Sequence, residues 1–594
     1  VFIPVSFTGG ITGRLFQQFS VTIAVSVVIS AFNALTLSPA LCALLLRRRE
    51  PPKKGFFAAF NRWFARRMDK YTAFTPTLIR HVARTGVFIA AVLAVIFLVW
   101  RKLPAGFLPE EDQGYVMVMV STPEASSLQV TQKAMIRADE VIRTLPEVAS
   151  TSFAAGFNMM AGIASTDSGI IFVSLVGYSD RKLTAMEIAQ RLTDELYMAV
   201  PGAECFAFIP PSIPGLGITS GVSVEVQDLE GRGTAYLLEQ SERLMDSLRK
   251  LPSVASVTTQ FNAGVPQRRL RIDKEQALAS GVDLGVLYGD LTTLLGGAYV
   301  NNFSRFGKLY QTYIQAAPAY RMDKRSLDSY YVASSSGESV PVSSLVEVVD
   351  TVGVEYVSQF NLYRSIGLTV TPAARTSTTT VMQDITRTAA QVLPDDVGTA
   401  WSGTSFQEAN ASKTGGLVYL LALVFVFLAL AALYESWGLP LAILMSVPVA
   451  VLGAVLFIGV SHLLNAFYVN DIYMQISLVM LIGLAAKNAI LVVEYADRLF
   501  NEQGASLMDA AIGAAKLRVR PIIMTAFAFI LGVMPLIFAS GVYATARNIM
   551  GVALVGGMLF ATLLGIFVYP ALYYFVGRIG GFERRRERKK QEQS

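Results

Sequence analysis

Hydrophobic positions along the chain follow two regimes. Toward both ends they form unbroken runs, and between those ends they alternate with polar residues. A bilayer core ~30 Å thick is crossed by ~20 apolar residues in a helix, and that template fits seven windows: 21–46, 87–103, 417–434, 439–460, 472–493, 521–542 and 549–576. The opening VFIPVSFTGG reads as the tail of one more span. With no initiator Met and no signal peptide, the sequence is expected to be a fragment whose N-terminal half is missing.

The polar middle changes period. YVMVMVS, IIFVSLV, VSVEVQD and IGLTVTP alternate in the manner of half-buried strands, and LLEQSERLMDSLRK carries a helical period. The region also repeats itself. RTLPEVASTSF, with Leu145 and Pro146, returns as RKLPSVASVTTQF, with Leu251 and Pro252, each time after a helix and before a strand. Two β-α-β-β-α-β units account for this, near 115–208 and 222–401, the second interrupted by an inserted piece. The expected fold class is therefore a polytopic α-helical membrane protein with a large α+β region of ferredoxin-like subdomains. Its parts are 1–46, the end of one span plus a complete one; 47–86, a basic linker with an interfacial helix; 87–103, a span; and 104–215, a first subdomain. A second subdomain comprises 216–266 with 351–413, around an insert at 267–350. Five further spans occupy 414–577, and 578–594 is a basic tail.

Composition supports the membrane reading: of 594 residues 53% are hydrophobic and 16% charged. Charge then orients it. The net +6 comes largely from RRREPPKK, FARRMDK and RRRERKK beside apolar windows, so those ends face the cytoplasm and the α+β region lies on the other side. KKGFFAAFNRWFARRMDKYTAF pairs aromatic with basic residues and is expected to lie flat on anionic lipid. The basic residues track membrane ends rather than a groove, so no nucleic-acid partner is expected. Two cysteines, Cys42 and Cys205, offer no disulfide framework.

Several chemistries lack their residues. Gly307 and Lys308 are followed by Leu309, so no P-loop forms; PGLGITSG has Ser220 where a dinucleotide fingerprint needs its third glycine; there is no GxSxG. Catalytic residues, cofactors and metals are all expected to be none. What stands out is Lys487 inside a span, in LIGLAAKNAILVVEYADRLF. An unpaired ion there costs at least ~2.5 kcal/mol. Asn488 adjoins it, Gly483 allows close helix approach, and Glu494 stands two turns on as one candidate partner, though more simply read as interfacial; no Asp or Glu occupies the middle of any window. Arg518 and Thr525 read as a flank and a small packing residue of the next span.

GGITGRLFQQFSVTIAVSVVISAFNALTLSPALCALLL, FLPEEDQGYVMVMV, GGAYVNNF, ALYESW, GLAAKNAILVVEYA and RPIIMTAFAFILGVMPL, in this order, resemble the resistance-nodulation-division transporters, in the hydrophobe/amphiphile efflux branch of AcrB-like inner-membrane pumps. The resemblance extends over the whole chain. It implies a homotrimer in the inner membrane of a Gram-negative bacterium, exporting amphiphilic compounds against a proton gradient. Its partners would be a periplasmic adaptor (membrane fusion protein), an outer-membrane channel of the TolC type and membrane lipid. Lys487, Arg518 and Thr525 match three members of the family's proton relay, with Asn488 beside them, and the relay's paired aspartates fall before residue 1. Phe172, Phe206 and Phe208 match the family's drug pocket. GFNMMAGIASTDSG resembles its switch loop, adding Phe157, Met159 and Met160, and the insert resembles its docking portion. Two other readings stay open: the metal-exporting branch, with Met159 and Met160 as soft ligands for Cu(I), and a non-transporting remnant or binding module.

Overall fold

The structure, a computed structural model, describes residues 9–46, 55–80, 82–213, 215–217, 219–373 and 376–581. The expected half-span at 1–8, the basic stretch at 47–54 and most of the basic tail lie outside the described residues.

The described residues open with α1 (Gly10–Leu35) and α2 (Leu37–Leu45), broken at Thr36 ahead of Pro39. The basic linker forms α3 (Phe56–Ile79), and α4 (Val82–Lys102) follows. The α+β region then runs β1 (Tyr115–Ser121), α5 (Leu128–Ile142), β2 (Val148–Asn158), β3 (Ile163–Leu175), α6 (Ala185–Ala199) and β4 (Glu204–Phe208). These four strands form one antiparallel sheet in the order β2-β3-β1-β4. Its register explains the alternation of YVMVMV. Val116, Val118 and Val120 point to the side of α5 and α6, where they are buried with Ile171, Val173, Met135, Ile188 and Leu192. Met117 and Met119 point to the other face.

A second sheet repeats the plan: β5 (Val222–Asp228), α7 (Thr234–Leu248) and β6 (Val254–Thr259) come first. The chain then forms β7 (Val265–Ile272), α8 (Lys274–Ala279), α9 (Leu284–Leu291), the hairpin β8 (Ala298–Arg305) and β9 (Lys308–Ile314), the pair β10 (Tyr331–Ala333) and β11 (Ser339–Pro341), and β12 (Val346–Gly353). It returns with β13 (Ser358–Phe360), β14 (Tyr363–Pro372), α10 (Thr378–Val392) and β15 (Val397–Trp401). The sheet order is β13-β14-β5-β15, with β6 also on β14. The intervening stretch packs as a compact unit of its own, 261–357 with 123–127, around Val282, Leu287, Leu291, Tyr330 and Val332. Its ends lie outside the expected 267–350, because β7 and β12 pair along their whole lengths from Val265↔Gly353 to Val346↔Ile272.

β15 leads into α11 (Gly403–Tyr434), then α12 (Gly438–Leu444), α13 (Val447–Leu464), α14 (Ile472–Asn501), α15 (Leu507–Ile537), α16 (Ala544–Leu563) and α17 (Gly565–Ile579). Among the described residues six helical stretches are long and apolar enough to cross a membrane, and Tyr419–Tyr434 is a shorter apolar helix. Besides 21–46, broken at Thr36, three windows differ from expectation. The 439–460 window splits into α12 and α13, and 549–576 into α16 and α17. The window expected from 521 belongs to one helix that starts at Leu507, capped by Ser506 accepting from Asp509 N, and Pro521 lies within it. Arg518 is therefore inside a continuous helix rather than ahead of one.

Pro570 shows how such breaks are tolerated. Lacking an N–H, it leaves the Ile566 carbonyl without its helical donor, and the Tyr71 hydroxyl supplies one at 2.8 Å. Tyr71 and Phe74 also stack edge-on against Phe567, at 5.2 and 6.2 Å between centroids. The basic helix α3 is thereby fastened to α17. At the crossing of α13 and α16, a Cβ on Gly453 would overlap the Gly556 carbonyl, and one on Gly556 would overlap Phe457 and stand 2.9 Å from the Gly453 carbonyl. Only glycine permits backbones this close.

Candidate functional site

α14 runs through the middle of the helix bundle, burying Ile476, Val479, Ile482, Ala486, Ala489 and Val493. Lys487 is exposed on this helix, and among the described residues it forms no ion pair. Glu494 meets Arg498 at 3.6 Å with both side chains about half exposed, in keeping with the interfacial reading rather than with pairing to Lys487. Asn488 is 2% exposed and faces the interior, with Nδ2 unbonded. The helical rotation of ~100° per residue turns it away from Lys487, so adjacency in sequence does not make it the lysine's partner.

Arg518 reaches across from α15 to α14: its guanidinium stands 4.9 Å from the Tyr495 ring centroid, a cation–π contact, and its buried Nε has no hydrogen-bond partner. Thr525 is exposed and donates to Ile522 O at 3.1 Å within its own helix. α14 and α15 pack together, so the structure ties Arg518 to the helix of Lys487. It shows no bond between Lys487 and either Arg518 or Thr525.

The second candidate site is the face of the first sheet opposite α5 and α6. Cross-strand register sets Phe172 beside Met117 and Met117 beside Phe208. The next row is Ile170, Met119 and Phe206. Phe208 is buried, whereas Phe172 and Phe206 are 38% and 49% exposed. The Phe206 and Phe208 rings stack at 5.7 Å and 18°. Met159 and Met160, from the β2–β3 turn, pack on Met117, Met119, Ile170 and Phe208. Five of the six expected pocket residues thus share one apolar face. Phe157 lies at the bulged end of β2, 41% exposed and outside that cluster. Thioethers and aromatic faces make an adaptable, polarizable wall. Met117, Met119 and Ile170 share this face and were not singled out in the sequence, although the alternation in YVMVMV carried the signal for the two methionines.

A third feature was not foreseen: the acidic EED of FLPEEDQG. Glu111 is 2% exposed, and its two oxygens accept from Thr545 N at 3.2 Å and Ala546 N at 2.7 Å, in the first turn of α16. Burial pushes its carboxyl up, and those two N–H groups oppose the shift. Asp112 accepts from Arg181 Nη2 at 2.7 Å, Gly114 N at 2.9 Å and Ala185 N at 2.8 Å, the last at the start of α6. Burial works against its ionisation, but these donors hold the carboxyl below its ordinary range. Asp471 caps α14 by accepting from Met474 N at 2.8 Å. Burial pushes its carboxyl up to about 7. Among the described residues no group of three or more His, Cys, Asp or Glu stands ready to hold a metal.

The AcrB/AcrD/AcrF family profile matches residues 1–577. Similar proteins include a toluene efflux pump membrane transporter, TtgB, of Pseudomonas putida, 37% identical over 592 residues, which cover 98% of this chain and 55% of that protein. The multidrug resistance protein MdtF of Escherichia coli (strain K12) is 34% identical over 590 residues, 97% of this chain and 56% of its own. The multidrug export protein AcrF of Escherichia coli (strain K12) is 34% identical over 587 residues, with coverages of 97% and 56%. The chain spans about half the length of the curated relatives it matches. With a family match over nearly its whole length, the chain belongs to the AcrB/AcrD/AcrF family of efflux transporters.

Proposed function

We propose that this chain works in a proton-driven efflux transporter, not an enzyme, that exports hydrophobic or amphiphilic compounds across the inner membrane of a Gram-negative cell. One observation carries the substrate class: an apolar face in which the half-exposed Phe172 and Phe206 rings stand over the buried Met117, Met119 and Phe208. Such a face suits flat, greasy molecules of varied shape and supplies few directional polar contacts. The names of those relatives, which speak of toluene and of multidrug export, point the same way.

In this reading the two β-α-β-β-α-β sheets are ferredoxin-like porter subdomains and the compact insert is a docking subdomain. The transporter is a homotrimer that joins a periplasmic adaptor and an outer-membrane channel. The driving part is Lys487 with Arg518 and Thr525. A carboxylate brought against the Lys487 ammonium in the assembled transporter pairs with it when ionised and releases it when protonated, which biases the packing of α14 against α15. Within the described helices of the bundle, Glu494, Asp497 and Asp509 lie within about two turns of the α14–α15 connection, away from Lys487.

The four methionines on one face, Met117, Met119, Met159 and Met160, favour one second reading, export of a soft cation such as Cu(I). Cells lacking their own pumps and carrying the whole transporter separate the two. Protection against amphiphilic dyes that Phe206→Ala weakens is the expected result. Protection against copper alone would overturn the proposed substrate class.

A further inference from the structure

Residues 103–114, between α4 and β1, touch four separate elements. Their backbone is laced to the start of α14: Asn470 N donates to Pro104 O at 2.9 Å, Gly106 N to Asn470 O at 3.2 Å, and Ile472 N to Phe107 O at 3.2 Å. Glu111 holds the first turn of α16, and Asp112 the first turn of α6. Ser212 Oγ donates to Pro109 O at 2.6 Å and Gln113 Nε2 to Pro211 O at 3.0 Å, which fixes the chain just beyond β4.

Tyr178, in the β3–α6 loop, closes the other side. Its hydroxyl donates to Asp112 O at 2.8 Å, the Arg181 guanidinium lies 4.6 Å over its ring, and a Cβ on Gly541 would stand 3.7 Å from that ring. Gly541 belongs to the connection between α15 and α16. The second sheet needs no such device, since β15 runs straight into α11, and Ser223 N donates to Ser405 Oγ at 2.9 Å.

We propose that residues 103–114 are a transmission strap, in which Glu111 and Tyr178 are positioning residues that carry displacements of the α14, α15 and α16 helix ends to the methionine- and phenylalanine-bearing first sheet. The strap suits this task because its anchors are short and directional. A carboxylate seated on two N–H groups cannot follow one helix end and ignore the other partners of its own backbone. The inference rests on the proton-driven reading above, since it supplies the path by which the bundle and the substrate face influence each other. The charged and titratable groups around Glu111 are Arg547 of α16, Asp471 and Tyr473 at the start of α14, and Tyr178.

Reciprocity makes the path measurable. If protons and substrate bias one equilibrium, substrate affinity depends on pH, and uncoupling the two removes that dependence while leaving each site in place. The test measures binding of rhodamine 6G to the purified whole transporter by fluorescence anisotropy at pH 6 and pH 8. Wild type should shift its affinity by about fivefold or more. Glu111→Gln and Tyr178→Ala should each keep the pH 8 affinity within about twofold and lose most of the shift. Loss in both variants supports the strap. Loss in Glu111→Gln alone would mean that Glu111 is itself the proton site, and loss in Tyr178→Ala alone, or in neither, would also overturn the proposal. A wild type without any shift would instead sink the proton-driven reading beneath it. Should either variant fail to fold, Glu111→Asp or Tyr178→Phe, which deletes only the hydroxyl bonded to Asp112 O, is judged by the same criterion.

Discussion

Replacing Asp112 with alanine removes three hydrogen bonds and the counter-ion of a guanidinium whose side chain is 2% exposed. The Arg181 Nε is already buried without a partner, and the orphaned cation would keep the Leu183 carbonyl, 2.8 Å from Nη1, but no counter-charge in this pair. Breaking one side of such a pair costs ~3–5 kcal/mol, because a desolvated charge is left behind. The Tyr178 ring 4.6 Å away offsets a part of this. Losing the bond to Ala185 N also unseats the start of α6. By contrast, Glu239→Ala breaks a pair whose side chains are 58% and 57% exposed, and should cost at most ~0.5 kcal/mol. Hydrogen exchange of the first turn of α6, read on the purified whole transporter, should therefore quicken by about a hundredfold or more in Asp112→Ala, and α7 should hardly change in Glu239→Ala. The sign with pH follows from the depressed carboxyl. Its stabilisation is complete above the unfolded value of ~3.9 and is lost as pH falls through the lower folded value. Equal exchange in the two variants, or an Asp112 contribution that vanishes as pH rises from 5 to 7, would refute the reasoning.

The two stacked phenylalanines should separate stability from binding. Phe208→Ala opens a cavity and costs ~3–5 kcal/mol, visible as a lower thermal midpoint. Phe206→Ala, half exposed, should leave that midpoint nearly unchanged and weaken dye binding. Burial pushes the Cys205 thiol up to about 11, so at pH 8 it is almost wholly protonated and should resist iodoacetamide in the native protein and react once denatured; mass spectrometry of the labelled peptide decides this. Gly453→Val should prevent the α13–α16 crossing, and size-exclusion chromatography should find little folded transporter.

The two kinds of period made the architecture legible. Alternation in YVMVMV and IIFVSL located two strands of the first sheet, and the LPxVAS repeat announced a second sheet of similar plan. Unbroken apolar runs marked the helices, but not where they bend, because proline in a packed bundle is compensated from outside the helix, as Tyr71 does for Ile566. The insert's edges escaped because β7 and β12 are neighbours in space and distant in sequence. Among site residues, the family resemblance picked out Lys487, and its position inside an apolar run justified attention by itself. Asn488 was read as a partner from adjacency alone, which helical geometry does not honour. Glu111 and Asp112 went unremarked as functional because their meaning lies in the backbone N–H groups of α16 and α6, and no side-chain pattern announces those partners.

The central claim is that Lys487 takes part in converting a proton gradient into substrate movement. The measurement that tests it is dye transport into proteoliposomes holding the whole transporter, under an imposed pH gradient, for wild type and Lys487→Met. The expected result is gradient-dependent transport in wild type and about a hundredfold less in the variant, with dye binding to the detergent-solubilised protein unchanged. Transport by Lys487→Met at the wild-type rate, or wild-type transport indifferent to the gradient, would contradict it.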